Sequence, residues 1–368
     1  MKTILARVLP RAMYILVIAC GASMLTSTAF AALKTIASTV PGNGDVNPYG
    51  LVVVPATTGA LSSGNLLVSN FNNAANLQGT GTTIVQISPD GDVTQFAQID
   101  AATLPGPCPG GVGLTTALVV LKTGWVIVGS LPTTDGTAAT AKAGCLIVLD
   151  SNGTVKETFS GHGINGPWDM TASDSGGSVS LFVTNVLNGT VAGGGNVVNR
   201  GTILRLDLKI QNGSNPRLQS VTTVGSGFSE KTDPDALVIG PTGVHLGVDS
   251  SSTTLYVADS INNRIASISN ALSRTSSAGT GTTITSGGAL NDPLGLTVTS
   301  ANNIMTVNGD DGFMVLTSPS GTQVGKTLLD NSGTAPGSGA LFGAAFVNST
   351  GLYYVDDATN TLRLLPNK

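Results

Sequence analysis

Short apolar runs, each followed by a polar turn, recur along this chain. In "LYVADSINNRI" (255–265), a strand-like apolar run leads to Asp259 and then through a polar turn into the next strand. Five further stretches share this pattern, the last two more weakly: "LLVSNFNN" (66–73), "LFVTNVLNG" (181–189), "LYYVDDATNTL" (352–362), "WVIVGSLP" (125–132) and "IMTVNGDDG" (304–312). Recurrence at a spacing of about 45–65 residues is typical of a repeat architecture.

A turn of the form x-Pro-x-Gly precedes several of these strands. Proline fixes φ at the turn, and glycine allows a close backbone approach before the next strand. The turns are found at 47–50, 240–243 and 292–295, with Gly166-Pro167-Trp168-Asp169 as a variant. Hairpins with glycine at the turn lie downstream, as in "ISPDGDVTQF" (87–96). Each unit therefore has four antiparallel strands, and six units predict an all-β, six-bladed β-propeller.

The two ends of the chain predict how the ring closes. The sixth unit has strands near 342–347, 352–356 and 361–366, and the chain then ends one strand short. A spare strand, "LKTIASTV" (33–40), lies at the other terminus. Pairing the two would remove the open edges of the ring. We therefore expect the N-terminal strand to complete the sixth blade.

The N-terminus predicts export. Basic residues precede an apolar run at 12–19, and Ala29-Phe30-Ala31 is a small-x-small cleavage site, so we assign 1–31 to a signal peptide and 32–368 to the propeller. The protein would then be periplasmic or extracellular. An alternative is the lipobox-like Val17-Ile18-Ala19-Cys20, which would place a lipid anchor on Cys20. No other run approaches the roughly 18 apolar residues of a transmembrane span.

Composition limits the possible partners. Without the leader the chain has 14 basic and 21 acidic residues, a net charge of −7, so nucleic acid is not expected as a partner. The hydrophobic content of 41% is too high for disorder, and the 48 glycines argue against a helical protein.

Cys108 and Cys145 are an even number of cysteines in an exported chain, which predicts a disulfide between them; two buried free thiols are the alternative.

At the level of family, 255–265 resembles the core of an NHL repeat of the secreted bacterial type. In that repeat an apolar-Tyr-Val-Ala-Asp strand leads through an Asn-bearing turn into Arg-Ile, as it does here. The "NPYGL" turn (47–51) is more distantly similar to turns of gluconolactonase-like and virginiamycin B lyase-like propellers. The resemblance implies a propeller and leaves the activity open, because propellers host many unrelated functions.

Polar residues are expected to gather on one face of the ring. We define the upper face as the one where the first strand of each blade begins and the second strand ends. Asn and Asp residues converge there: Asn47, Asn70, Asn165, Asn185, Asp259, Asn291, Asp292, Asn308 and Asp356. The long loops 72–83, 131–143 and 187–201 also emerge on this face. They are either a contact surface or tolerated decoration.

Calcium is the cofactor that the resemblance implies. Gluconolactonase-like propellers hold this ion with Asn and Asp from the turns before the first strands, which points to Asn47, Asn165 and Asp292. The chain departs from that family because its two glutamates, Glu157 and Glu230, lie far from a predicted channel position. Alternatively, Asn and Asp at strand ends bond their own backbone and terminate the strand.

Catalytic groups are scarce. The chain has two histidines, so a three-histidine zinc site is impossible. His162, in an inter-blade loop near the upper face, is the acid/base candidate, and His245 is expected to be a core residue of an inner strand.

Tyr49 and Trp168 occupy equivalent places in the x-Pro-x-Gly turns, where they either contact a ligand or pack between blades.

Two functional hypotheses follow. The first is a monomeric binding or scaffold module that contacts a protein, peptide or carbohydrate through its long loops and upper face, with Tyr49, Asn70, Trp168 and Asn185 as ligand-binding residues. The alternative is a calcium-dependent enzyme of the lactonase or lyase kind with its site at the channel mouth. The low charged fraction of 10% and the scarcity of histidine favour binding over catalysis.

Overall fold

Six antiparallel sheets surround a central channel in the computed structural model, which describes residues 32–211, 214–248 and 253–367. The six-bladed β-propeller predicted from the repeats is confirmed. Each blade has four strands, and a short fifth strand extends the sheet of the third blade. The innermost strand of each blade contacts the inner strands of both neighbouring blades, so these six strands line the channel. The predicted signal peptide (1–31) and Cys20 lie outside the described residues.

The strands follow one another in blade order. The chain starts with β1 (Lys34–Ser38), which belongs to the sixth blade. Blade one contains β2 (Val46–Val53), β3 (Leu66–Asn72), β4 (Thr83–Ile87) and β5 (Val93–Gln98). Blade two contains β6 (Leu114–Val120), β7 (Val126–Ser130), β8 (Cys145–Leu149) and β9 (Val155–Phe159). Blade three contains β10 (Pro167–Asp174), β11 (Ser178–Asn185), β12 (Val198–Lys209), β13 (Arg217–Asp233) and β14 (Leu237–Ile239).

The second half of the ring is more regular. Blade four contains β15 (Pro241–Leu246), β16 (Leu255–Asp259), β17 (Arg264–Ile268) and β18 (Thr282–Ser286). Blade five contains β19 (Pro293–Val298), β20 (Ile304–Asn308), β21 (Phe313–Thr317) and β22 (Gln323–Leu328). Blade six contains β23 (Leu341–Val347), β24 (Gly351–Asp356) and β25 (Thr361–Pro366) together with β1. A helical turn, α1 (Thr190–Gly193), interrupts the loop after β11.

The N-terminal strand closes the ring, as predicted. β1 pairs antiparallel with β25, from Lys34 opposite Leu364 to Ser38 opposite Thr361. The next residue, Thr39, continues the link: its N–H donates to the carbonyl of Asn360 at 2.9 Å. Its own carbonyl accepts a hydrogen bond from Asn70 Nδ2 at 3.0 Å, which joins the sixth blade to the first. The closure therefore covers the edge of β25 and fixes the first blade beside the last.

Apolar side chains fill the spaces between blades. Because successive strand residues point to opposite faces of a sheet, each blade buries Val, Ile and Leu against both of its neighbours. The core between blades two and three includes Ile127 and Val148 from one sheet and Leu181 and Leu206 from the other, all 0% exposed. Burial of each such side chain contributes about 1.5–3 kcal/mol.

No helix in the described part of the chain is long and apolar enough to cross a membrane.

Every inner strand contains an irregularity near its start. The pairing register shifts between Pro48 and Gly50 in β2, and at equivalent places in the other five blades. Adjacent inner strands approach so closely there that a Cβ on Gly295 would clash with the carbonyl oxygen of Phe342. The glycine of the x-Pro-x-Gly turn therefore fits this close approach. Blade two has Thr116 and blade three has Asp169 at this place.

The predicted disulfide between Cys108 and Cys145 is confirmed. It joins the segment between β5 and β6 to the first residue of β8, across a sequence separation of 37. Disulfides persist in oxidising compartments and are rare in the cytosol, so the bond agrees with an exported protein.

Candidate functional site

Aromatic side chains close the upper end of the channel. We call Tyr49, Phe71, Trp168 and Phe342 the aromatic cluster. The Tyr49 ring is stacked between Phe71 and Phe342, with centroid distances of 4.4 and 3.9 Å, and Trp168 lies 6.3 Å away. Tyr49 and Trp168 are each 2% exposed. The two aromatic residues from the x-Pro-x-Gly turns therefore lie inside the core.

A segment from blade three covers the aromatic cluster from above. Asp233 ends β13, and its Oδ1 accepts the N–H groups of Asp235 and Ala236, which turns the chain back across the mouth. Within this covering segment (233–239), the Val238 carbonyl accepts a hydrogen bond from Trp168 Nε1 at 3.1 Å. The Asp235 carbonyl accepts one from the Tyr49 hydroxyl at 3.4 Å. Burial, aided by nearby carboxylates, holds the pKa of Tyr49 well above its usual value.

The three residues proposed as calcium ligands lie in different local settings. Asn165 Nδ2 donates to the Leu187 carbonyl at 2.7 Å, so its side chain is engaged by the turn after β11. Asn47 and Asp292 are 2% and 9% exposed, and Oδ1 of each lacks a hydrogen-bond partner. Among the described residues, no group of three or more His, Cys, Asp or Glu side chains is placed to hold a metal ion.

Asp292 lies in an acidic part of the upper face. Burial, followed by the charges of Asp310 and Asp233, raises the pKa of Asp292 to about 8. Burial also raises the pKa of Asp310, with Asp233 and Asp235 contributing in the same direction.

The other strand-end residues make contacts within their own blade or with the neighbouring one. Asn185 Oδ1 accepts the N–H of Asn165 at 2.9 Å and so fixes the entry to β10, while Asn70 links the first and sixth blades as described above. Both residues are 0% exposed. Asp259 forms an ion pair with Arg264 at 2.7 Å across the β16–β17 turn. These contacts match the alternative in which strand-end polar groups stabilise the turns.

The long loops form a pocket of about 420 Å³ beside the covering segment. We call it the upper-face pocket; its walls are Gln78, Gly136, Thr137, Ala138, Thr232, Asp233, Pro234 and Leu237. Gln78 Nε2 donates to the Pro234 carbonyl at 2.8 Å, which joins the loop after β3 to the covering segment. His162, the acid/base candidate, lies elsewhere as an exposed residue of the turn between β9 and β10.

A second cavity, of about 290 Å³, occupies the channel below the aromatic cluster. We call it the lower cavity. All six inner strands line it, and it contains two titratable side chains, Asp169 and His245. The cavity opens downward, because Val53, His245 and Phe346, near the ends of their strands, are half-buried while the strand starts are buried. Burial raises the pKa of Asp169 to about 7 and lowers the pKa of His245.

Sequence reasoning did not identify two carboxyl groups, those of Asp169 and Glu230, as candidate site residues. Asp169 was visible as the residue that replaces glycine in the fourth position of a repeated turn. Glu230 is 0% exposed near Asn188 and Thr190, and burial raises its pKa to about 7. Its place beneath the loop after β11 depends on the length of the β12–β13 hairpin, which no local pattern indicates.

The fold and the site together define a six-bladed β-propeller whose channel is closed at the upper face and hollow below. No protein-family model matches the sequence, and none of the curated proteins is significantly similar to it. Similarity appears among solved structures. XC5397, a gluconolactonase from Xanthomonas campestris, is 12% identical with a TM-score of 0.54; the match covers 91% of this chain and 89% of that protein.

Two further structures are similar over most of their length. Virginiamycin B lyase from Staphylococcus aureus is 14% identical with a TM-score of 0.53, over 92% of this chain and 99% of the lyase. Regucalcin from Agrobacterium tumefaciens, a calcium-binding protein, is 14% identical with a TM-score of 0.53, over 92% and 94%. At such low identity these matches show the shared fold.

Proposed function

We propose that this chain is an exported NHL-type β-propeller that binds a protein, peptide or carbohydrate partner through its upper face. The observation that supports this most directly is the upper-face pocket, because loops of two blades and the covering segment converge to form it. Leu77, beside this pocket, is 37% exposed and offers an apolar contact. Binding residues are often carried on loops that a rigid scaffold positions, which fits this arrangement.

A calcium-dependent lactonase or lyase is the second candidate. It is favoured by the Oδ1 atoms of Asn47 and Asp292, which lack hydrogen-bond partners. It is also favoured by the similarity in fold to a gluconolactonase, a virginiamycin B lyase and a calcium-binding regucalcin. The residues present do not fit such a centre well. Calcium takes about six to eight oxygen ligands, whereas no group of three or more His, Cys, Asp or Glu side chains gathers among the described residues and the channel mouth is covered by 233–239. We therefore derive no metal-dependent reaction step.

Calcium should leave the thermal stability of the mature protein unchanged. We expect the same melting temperature in EDTA and in millimolar calcium chloride, measured by circular dichroism. A ligand present at about 100 times its dissociation constant would add about 2.7 kcal/mol to the unfolding free energy, which a melting curve resolves. A clear rise in melting temperature that Asp292→Asn abolishes would instead support the calcium-dependent enzyme.

Filling the upper-face pocket should abolish partner binding. Ala138 lines the pocket, whereas its neighbour Ala139 is exposed and does not, so Ala138→Arg and Ala139→Arg form a matched pair. We expect a ligand selected from defined oligosaccharide and peptide libraries to bind Ala138→Arg at least about tenfold more weakly than wild type, a loss of about 1.4 kcal/mol. Ala139→Arg should bind normally. Equal affinities of all three proteins, measured by calorimetry, would contradict the proposed surface.

A further inference from the structure

The lower cavity has a polar composition that the proposed upper-face function does not use. Its wall combines polar atoms with apolar side chains, among them Leu118, Met170, Leu296 and Phe346. The polar side chains are Asp169, His245 and a few threonines, and none of the described residues that line the cavity is lysine or arginine. A carboxyl group in such a wall has no cationic neighbour to neutralise it.

Asp169 occupies a position that is glycine in most of the other blades, where adjacent inner strands approach closely. Gly50, Gly243, Gly295 and Gly343 occupy this position in four other blades. In blade three the Asp169 side chain bridges the gap to blade four instead, since its Oδ2 accepts the Val244 N–H at 2.9 Å. Its Oδ1 accepts the N–H of Met170 at 2.8 Å. An ionised carboxylate has about four acceptor positions, so about two remain for a ligand.

His245 adds an acceptor to the same cavity. Its Nδ1 lies 2.6 Å from the Leu246 carbonyl oxygen. Because a carbonyl oxygen only accepts, Nδ1 must carry the proton, which leaves Nε2 of the neutral ring as an acceptor. The Thr116 hydroxyl donates to the Trp168 carbonyl, so its hydrogen is also already used. The two titratable groups of the cavity, Asp169 and His245 Nε2, are thus acceptors that suit a ligand that donates, while the Thr297 hydroxyl, which accepts the Phe346 N–H, keeps its own hydrogen.

We propose that the lower cavity binds a small organic ammonium ion, with the ammonium group on Asp169 and His245 Nε2 and the carbon chain against apolar side chains such as Leu118 and Phe346. A volume of about 290 Å³ is at the small end of ligand pockets. The cavity opens on the face opposite the upper-face pocket, so this site is separate from the partner-binding surface. A bare inorganic cation would leave these apolar side chains without a contact.

The test uses n-butylammonium chloride and its neutral analogue n-butanol as probes of the mature protein. Saturation-transfer NMR titrations should show saturable, millimolar binding of n-butylammonium and much weaker binding of n-butanol. Asp169→Asn should weaken n-butylammonium binding by about tenfold or more, because a hydrogen bond to a charged group is lost. Asp90→Asn removes one charge from an exposed hairpin turn and should bind the probe normally.

Asp169→Gly keeps the test valid if Asp169→Asn folds poorly. It introduces the glycine that four other blades have at this position, and we expect it to fold and to lose the probe. Equal binding of the two probes would overturn the proposal, as would unchanged binding by either Asp169 variant or a complete absence of saturable binding. Displacement of n-butylammonium by potassium more readily than by sodium would indicate an inorganic-cation site and would overturn it as well.

Discussion

Replacing Trp168 by alanine is expected to lower the unfolding free energy by about 3–5 kcal/mol, the usual cost of removing a large aromatic side chain from a core. The indole is 2% exposed and lies beside Tyr49 in the aromatic cluster. The Val238 carbonyl also loses its donor. The loss should appear as a lower midpoint in guanidinium chloride unfolding, followed by far-ultraviolet circular dichroism.

Trp125→Ala is the matched control, because Trp125 is the other of the chain's two tryptophans and is only half-buried. It should cost clearly less than Trp168→Ala. Trp168→Phe keeps a ring and removes the N–H donor, so its expected cost is about 1 kcal/mol. If Trp168→Ala does not fold, the comparison of Trp168→Phe with Trp125→Ala remains informative. Equal midpoints for Trp168→Ala and Trp125→Ala would mean that the aromatic cluster does not stabilise the ring.

Replacing Arg363 by methionine is expected to destabilise the sixth blade by about 3–5 kcal/mol, the usual cost of removing one partner of a buried ion pair. Arg363 Nη1 lies 2.6 Å from Asp356 Oδ2 and 3.6 Å from Asp330 Oδ2. The two aspartates are 0% and 8% exposed. Methionine retains the apolar stem, so the expected loss comes mainly from two buried carboxylates left without a cation.

The destabilisation by Arg363→Met should decrease at low pH. Burial raises the pKa of Asp356, and the Arg363 guanidinium opposes this effect. Without Arg363, the pKa of Asp356 in the folded state rises further above the pKa that this group has in the unfolded chain. The folded variant then binds more protons than the unfolded chain, so its stability is greatest below the unfolded pKa and falls as pH rises through the folded one.

Urea unfolding of Arg363→Met and wild type near pH 5 and pH 8 measures this difference. Arg217→Met is the control, because Arg217 is an exposed residue at the start of β13. Exposed substitutions of this kind usually change the unfolding free energy by less than about 0.5 kcal/mol. A pH-independent deficit for Arg363→Met, or one no larger than that of Arg217→Met, would show that the ion pair contributes little.

Local chemistry made much of the fold predictable. The strand ending in Asp259, the turn after Asn47 and the spare strand at 33–40 are each specified within about ten residues, because strand alternation and turn conformation depend on neighbouring side chains. Six copies of such a unit then imply a ring. The disulfide between Cys108 and Cys145 was predictable from an even cysteine count in an exported chain.

The candidate site was only partly predictable. Asn47, Asn70, Asn165, Asn185 and Asp292 lie at strand starts or ends as expected, but their burial and hydrogen-bond partners could not be inferred. Asn70 Nδ2, for example, bonds Thr39, a residue contributed by ring closure. Whether such an amide faces a ligand or a neighbouring blade depends on how blades pack, and no local pattern contains that information.

The sequence by itself determined the class of fold and the number of blades, because both follow from local patterns repeated along the chain, and it indicated the closing strand and the disulfide through a spare terminal strand and an even cysteine count. Only the tertiary structure decided which end of the channel is open. Trp168 and Val238 are 70 residues apart in sequence, Tyr49 and Asp235 are 186 apart, and Asp169 and Val244 are 75 apart. These contacts close the upper mouth and place a carboxyl group in the cavity below, and they exist only once the ring has brought distant blades together.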